Sequence, residues 1–275
     1  MSSFNLSKQR YIAPKDFIWR HTTETAVGAE FEDFRWDPTT DLAGRTLDIT
    51  FDNGWKIRHT FQSNDTMTWS MLDGAGKGKQ ETLPMHPVHV RDDIYSVTFR
   101  KPKPLEDVLL LFDLRRGIAL AAVTTFGPDY YESPATGRLE VHTQFLSGAV
   151  GDAQLVKFEP TDILVGKRAI HVYSQYQAYE HIYLSKHTGV WQCLAGQEQG
   201  ETDIFETTTF EFAENLILFR WHERAAAADG ILVMDRVSKR TLGRLSRDKG
   251  MLVMGANSHF LDTLAYPTPE ELGLA

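Results

Sequence analysis

The stretch Tyr179-Glu180-His181-Ile182-Tyr183-Leu184-Ser185-Lys186-His187-Thr188-Gly189-Val190-Trp191-Gln192-Cys193-Leu194-Ala195-Gly196 has a counterpart 122 residues earlier. His59 falls on His181, Ser63 on Ser185, Thr66 on Thr188 and Trp69 on Trp191; Leu72, Gly74 and Gly78 fall on Leu194, Gly196 and Gly200. These are seven identities in the twenty positions from His59, with no gap. Chance gives about one or two, and self-similarity at a fixed period marks a repeated unit. The offset extends outward. Leu42-Ala43-Gly44-Arg45 lies on Leu164-Val165-Gly166-Lys167, and the apolar run Val108 to Phe112, closed by Asp113, lies on Gly230 to Met234, closed by Asp235. A gapless offset implies fixed loop lengths, so the chain reads as two copies of one unit.

Each copy reads as strand after strand. Thr46 to Phe51 alternates, Asp52-Asn53-Gly54 is a hairpin turn with glycine supplying positive φ, and Trp55 to Phe61 alternates again. That second strand sets Lys56, Arg58 and Thr60 on one face and Ile57, His59 and Phe61 on the other. Seven or eight such segments per copy, joined by short polar turns and almost without helical periodicity, describe a sandwich or an up-and-down barrel. Alternation with both faces partly apolar and aromatic suits a barrel with a filled or ligand-holding interior. The expected organisation is an N-terminal extension over 1–40, a first barrel over 41–150 and a second over 151–275, with Pro128 to Gly137 the expected linker. The extension's aromatics, Phe17, Trp19, Phe31, Phe34 and Trp36, are expected to pack on a barrel end or to form a lid over a pocket.

Composition excludes several classes. A net charge of -8 argues against broad nucleic-acid binding, which needs a basic face. The polar N-terminus lacks a signal-peptide core, and no run of eighteen apolar residues exists. The expected location is therefore the cytoplasm. The lone Cys193 allows no intrachain disulfide and no cysteine-rich metal framework, and its strand setting points to a buried, inert thiol. No glycine-rich phosphate loop and no Gly-x-Ser-x-Gly elbow is present. His86 and His89 point to opposite faces of an extended strand, so that pair makes no metal site. No cofactor or metal is expected.

Tyr173-Ser174, Ala178 to Leu184, Trp191 to Gly196 and Leu218 to Glu223 resemble the C-terminal half of the MoaF family. His222 stands where the family pattern suggests a basic residue such as arginine. Phe51-Asp52-Asn53-Gly54 and Asp92-Asp93-Ile94-Tyr95 resemble the family's other half, and the resemblance covers roughly residues 40 to 250. It implies a tandem pair of lipocalin-like (calycin) antiparallel β-barrels, an all-β fold. It also implies a genetic association with molybdenum cofactor biosynthesis. Barrels of this kind include ligand carriers and cofactor-free lyases and isomerases acting on phenolic compounds.

Positions shared by the copies are expected to serve the scaffold, and positions that differ are where one copy could specialise. His59 and His181, and Trp69 and Trp191, are shared; a scaffold role competes with a ligand-binding one for all four. The second copy differs at Tyr179 (Ile57 in the first), Glu180 (Arg58), Arg220 (Thr98) and His222 (Arg100). Alternation sets Tyr179, His181 and Tyr183 on one face, and Arg220 and His222 share a face of another strand. If both faces look into one lumen, Arg220 holds a phenolate or carboxylate while His181 or Tyr179 moves a proton. The competing arrangement is a cross-strand surface pair of Glu180 with Arg220. The first copy offers Arg58, Tyr95 and His142 with less convergence.

The expected function is the handling of a small aromatic molecule inside a barrel. The favoured form is a cofactor-independent lyase or isomerase using His181, Tyr179 and Arg220, with Tyr183, Trp191, His222, His59, Trp69, Tyr95 and Arg58 as binding residues. The rival is a non-catalytic protein for a pterin-like ligand. A third reading makes one barrel a scaffold for a homodimer or a partner protein, and no nucleic acid or membrane is expected as a partner.

Overall fold

The computed structural model describes residues 31, 34–126, 141–223, 228–247 and 250–262. These residues form sixteen strands in two closed antiparallel barrels of eight strands each. The first contains β1 (Thr46–Phe51), β2 (Lys56–Phe61), β3 (Thr66–Asp73), β4 (Gln80–Arg91), β5 (Ile94–Pro102), β6 (Leu105–Asp113), β7 (Ile118–Phe126) and β8 (Val141–Val150). The second contains β9 (Arg168–Val172), β10 (Ala178–Tyr183), β11 (Thr188–Ala195), β12 (Thr202–Ala213), β13 (Leu216–Glu223), β14 (Ala228–Asp235), β15 (Arg240–Arg247) and β16 (Gly250–Leu261). Within each barrel every strand pairs with its sequence neighbours, and β8 on β1 and β16 on β9 close the two rings. Closure pairs the two end strands of each sheet over Ile49 to Phe51 with Gly148 to Val150 and over Arg168 to Val172 with Asn257 to Leu261, which removes the open edge there. Among the described residues no helix is long and apolar enough to cross a membrane.

The 122-residue period governs backbone detail as well as sequence. Register shifts fall at Lys56/Ile57 and Ala178/Tyr179, and at His89/Arg91 and Glu211/Ala213, which are matched positions. The left-handed residues Asp93 (φ 53°) and Asn215 (φ 57°) are also matched, in turns where a short polar side chain tolerates that conformation. The period ends at the last strand. Val150 faces Ile49 as Ser258 faces His171, an offset of 108. Pro128 to Gly137, expected as the linker, lies outside the described residues, and the strand after it, β8, closes the first barrel. The connection between the barrels runs from 151 to 167.

The barrels pack through the outer faces of matched strands. Val88 and Phe210, Val90 and Phe212, Ile94 and Leu216, Leu109 and Ile231, Leu111 and Val233, and Leu120 and Leu242 are matched pairs buried in one shared core. This is the pattern of a two-fold interface built within one chain. Each barrel also has its own lumen core. Of the extension's aromatics, Trp36 joins the shared core and Phe34 packs outside the second barrel. Phe31 lies against the second lumen, and Phe17 and Trp19 fall outside the described residues.

Candidate functional site

In the second barrel β10 turns Tyr179, His181 and Tyr183 inward, because an extended strand sends alternate side chains to opposite faces. Tyr179 and His181, with Trp191 from β11 and Trp221 from β13, line an open cup of about 720 Å³. That volume lies within the usual ~300–1,000 Å³ of small-molecule sites. The walls are aromatic. The Tyr179 and Trp191 rings meet edge to face at 5.6 Å, His181 stands 5.7 Å from Trp221, and Phe31 packs 5.0 Å from Tyr173. Tyr183 lies deeper, against Phe219, in the plug below the cup.

Glycines make room for these walls. A Cβ on Gly230 would sit 2.0 Å from the Trp221 ring, and one on Gly189 would sit 2.3 Å from Phe205. The matched residues of the first barrel are Val108 with Phe99 and Met67 with Leu83. At these two places the second copy has exchanged an aliphatic for a glycine where a larger ring enters.

The mouth is acidic. Glu198, Glu201, Asp203 and Glu223 line it beside Arg247. The Tyr179 hydroxyl donates to Glu198 Oε2 (2.8 Å) and accepts from Gln177 Nε2 (2.7 Å). Trp221 Nε1 donates to Glu223 Oε1 at 3.0 Å. Burial pushes the Glu223 carboxyl above the usual range; the Trp221 hydrogen bond and Arg247 work against this, and the charges of Glu198 and Asp203 add to it. Burial likewise raises the Tyr179 phenol, with Cys193 and Glu198 adding to the effect. Burial lowers His181 to about 3, so its imidazole is neutral at physiological pH. Its Nδ1 and the Trp191 Nε1 are buried with no hydrogen-bond partner among the described residues. Glu223 was overlooked in the sequence, although it continues the inward row Phe219, Trp221, Glu223.

Arg220 and His222 do not share this lumen. On β13 the rings of Phe219 and Trp221 take the inward face, which leaves Arg220 and His222 on the outer one. That face looks at the first barrel rather than at solvent. Arg220 Nε donates to Asp229 Oδ2 at 2.6 Å, and His222 Nδ1 lies 3.6 Å from the same oxygen. Asp229 Oδ1 accepts from Thr124 (3.0 Å) and Thr143 (2.7 Å) across the interface. Burial alone would raise this carboxyl, but His222, Arg220 and Arg244 outweigh it and hold it below the usual range. The fully buried Arg244 completes the network, donating to Asp107 O (3.0 Å) and Thr124 Oγ1 (2.7 Å) of the first barrel and to Ser246. Nor do Glu180 and Arg220 form a pair: Glu180 lies 3.2 Å from Arg168, and both are buried.

The first-barrel candidates scatter. His59 and Trp69 face their lumen as cross-strand partners, and burial lowers His59 to about 4. Tyr95 stacks between His89 and Phe112 in the same core. Arg58 lies outside, bonded to Asp48 at 2.7 Å. His142 is exposed. Cys193 is buried, its Sγ 3.1 Å from Ala195 O, and burial pushes the thiol up to about 12, which keeps it protonated and inert. Among the described residues no three His, Cys, Asp or Glu side chains converge to hold a metal ion.

Two family profiles match the chain. One, described as the MoaF N-terminal domain, covers residues 19–128, and the other, described as the MoaF C-terminal domain, covers residues 158–260. A curated relative, Protein MoaF of Klebsiella aerogenes, is 30% identical over 212 residues, spanning 72% of this chain and 75% of the relative. Among solved structures, one from Burkholderia vietnamiensis, given a provisional beta-lactamase name, is 16% identical. It covers 42% of this chain and 96% of its own, with a TM-score of 0.31, too slight a likeness to speak to fold or activity.

Proposed function

The chain belongs to the MoaF family, and we propose that its second barrel is a binding cup for a small planar aromatic molecule. Neither the matched family descriptions nor the relative's name specifies a substrate, so the reading rests on the cup. The observation that carries it is an open, ring-walled cavity of about 720 Å³ in one barrel. Aromatic walls bind a flat ring through area burial and edge-to-face contact, and the few polar groups set orientation.

Binding is favoured over turnover. The phenolate-holding arginine of the acid/base scheme, Arg220, is committed to Asp229 outside the lumen. A histidine at about 3 is a weak base at neutral pH. One observation supports a second reading, a cofactor-independent lyase or isomerase acting on a phenolic compound. Glu223 is a carboxyl in the cup with a raised pKa, the property expected of a general acid or base. In that reading Glu223, rather than His181, exchanges the proton.

The test is a thermal-shift screen against planar aromatics, including phenolic compounds and pterins, with mass analysis of each well. The pterin arm addresses the molybdenum-cofactor association that the family resemblance implies. Ligand at a hundred times Kd stabilises the protein by about 2.7 kcal/mol. We expect at least one compound to raise Tm in the wild type and not in Trp191→Ala. A new product mass that Glu223→Gln abolishes would move the reading to catalysis. No shift with any compound would end the cup proposal.

A further inference from the structure

The two mouths differ in the charge they carry, and the first barrel shows what occupies such a place. Lys101, at the inward end of β5, sets its Nζ 4.7 Å from the centroid of the Trp69 ring. The same Nζ is held at 2.5 Å by Glu106, its cross-strand partner. The first barrel therefore carries its own cation over its lumen tryptophan, a favourable contact because the ring face is electron-rich. At the matched positions the second barrel has Glu223 for Lys101, Trp191 for Trp69 and Ala228 for Glu106. It keeps the tryptophan, loses both the ammonium and the glutamate that tethers it, and puts a carboxylate where the ammonium stands. Lys79 of the first barrel is likewise matched by Glu201, and Gly76 by Glu198.

We infer that the molecule taken by the second cup is positively charged: an aromatic ammonium or amidinium whose cation sits over Trp191, in the place that Lys101 Nζ fills over Trp69. This rests on the cup reading above and adds the charge class of its ligand. The mouth already carries the cost of the matching charges. Glu198, Asp203 and Glu223 crowd one opening, and their mutual repulsion is relieved when a cation arrives. Trp221 fixes Glu223 by a hydrogen bond, so the carboxylate is oriented before the ligand binds. Below it, the neutral His181 offers a buried, unpartnered Nδ1 at the cup. Arg247, the one cation among the described residues lining the cup, is exposed at the rim. An anionic aromatic would have to pass the carboxylates.

The experiment uses three probes of one size and different charge: benzamidinium, benzyl alcohol and benzoate. Each is titrated into the full chain at pH 7 and followed by calorimetry and tryptophan fluorescence. Benzamidinium is expected to bind at least tenfold tighter than benzyl alcohol, with benzoate weakest and the preference shrinking as salt rises. Glu223→Gln should cut benzamidinium affinity several-fold and leave benzyl alcohol unchanged. Glu223→Lys, which puts an ammonium where Lys101 stands in the first barrel, should abolish benzamidinium binding while the circular dichroism spectrum and Tm report a folded chain. Equal binding of the three probes, or a preference untouched in Glu223→Gln, overturns the charge assignment and leaves the cup standing. Binding of none of them overturns the assignment and the cup together.

Discussion

The first barrel sets its own Lys101, held by Glu106, over its lumen tryptophan, while the second, built on the same strand plan, has an open cup at the matched place. Exchanges at matched inward positions accompany the difference. Val108 and Phe99 become Gly230 and Trp221, Met67 and Leu83 become Gly189 and Phe205, and Lys101 becomes Glu223. Turn geometry, register shifts and the lumen histidine and tryptophan are common to both. A duplicated fold thus separates what holds a barrel together from what one copy does with it. The exchanged inward residues shape the cup, while the shared His181 and Trp191 line it as their counterparts His59 and Trp69 line the first lumen. The exchanged outward residues belong to a third category, the seam between the copies.

That seam offers the harshest way to break the comparison. Asp107 and Asp229 are matched, buried carboxylates, each bonded to an arginine: Arg100 donates to Asp107 at 2.6 Å and Arg220 to Asp229 at 2.6 Å. Asp229 also receives Thr124 and Thr143 from the first barrel, and the charge of the buried Arg244 acts on it. Asp229→Ala would leave Arg220 without its partner and Arg244 with the charge of Asp107 alone. Removing one partner of a buried pair costs about 3–5 kcal/mol. We expect a loss of this size by urea denaturation, with the two barrels losing their shared transition. A loss below about 1 kcal/mol would show that the barrels do not depend on this network.

The lumen exchange gives a second, smaller test. Gly230→Val should force Trp221 out of its place, and overpacking of this kind costs about 1–3 kcal/mol. Adding Trp221→Phe restores the Val–Phe pair of the first barrel. Most of the lost stability should return in the double variant, an interaction that a double-mutant cycle reads directly. The double variant should nevertheless bind aromatic probes less well, having traded a wall of the cup for core. Additive losses would mean that the glycine was not exchanged to admit the tryptophan.

The sequence carried the doubling legibly, because the gapless offset showed two units and inward alternation placed Tyr179, His181 and Tyr183 on one face. It did not carry the direction of β13. Both of its faces hold large or charged residues, and a charged face is ordinarily read as lumen chemistry or as solvent. Here the outer face is neither. Another barrel covers it, so Arg220 and His222 look like site residues in a linear reading while serving the seam. The cup had a signal that only matched comparison reveals. Gly230 opposite Val108 and Glu223 opposite Lys101 are exchanges of size and charge on the inward row, although Glu223 was not among the expected site residues. The period could not place β8, which lies within the expected bounds 41–150 of the first barrel, because it fails at the last strand, where the offset falls to 108.

The smallest expected effect concerns what the barrels share. His59 and His181 are both buried, and burial lowers them to about 4 and about 3. In the unfolded chain each titrates near its ordinary 6.5, so as pH falls the unfolded state takes up protons first. Stability is therefore complete above pH 6.5 and is lost as pH drops below it, by about 1.4 kcal/mol per unit for each histidine once well below that value. Between pH 6.5 and pH 5 each should contribute a loss of about 1–2 kcal/mol, with His171, also lowered by burial, adding to the slope. Glu223, raised by burial, acts in the opposite sense. His59→Phe and His181→Phe, compared by urea denaturation across this range, should flatten the slope by similar amounts. Equal flattening assigns both histidines to the common scaffold, whatever else His181 does at the floor of the cup. A markedly smaller effect at His181 would mean that protons reach it through the open mouth without unfolding, and that the floor of the second barrel is wetter than that of the first.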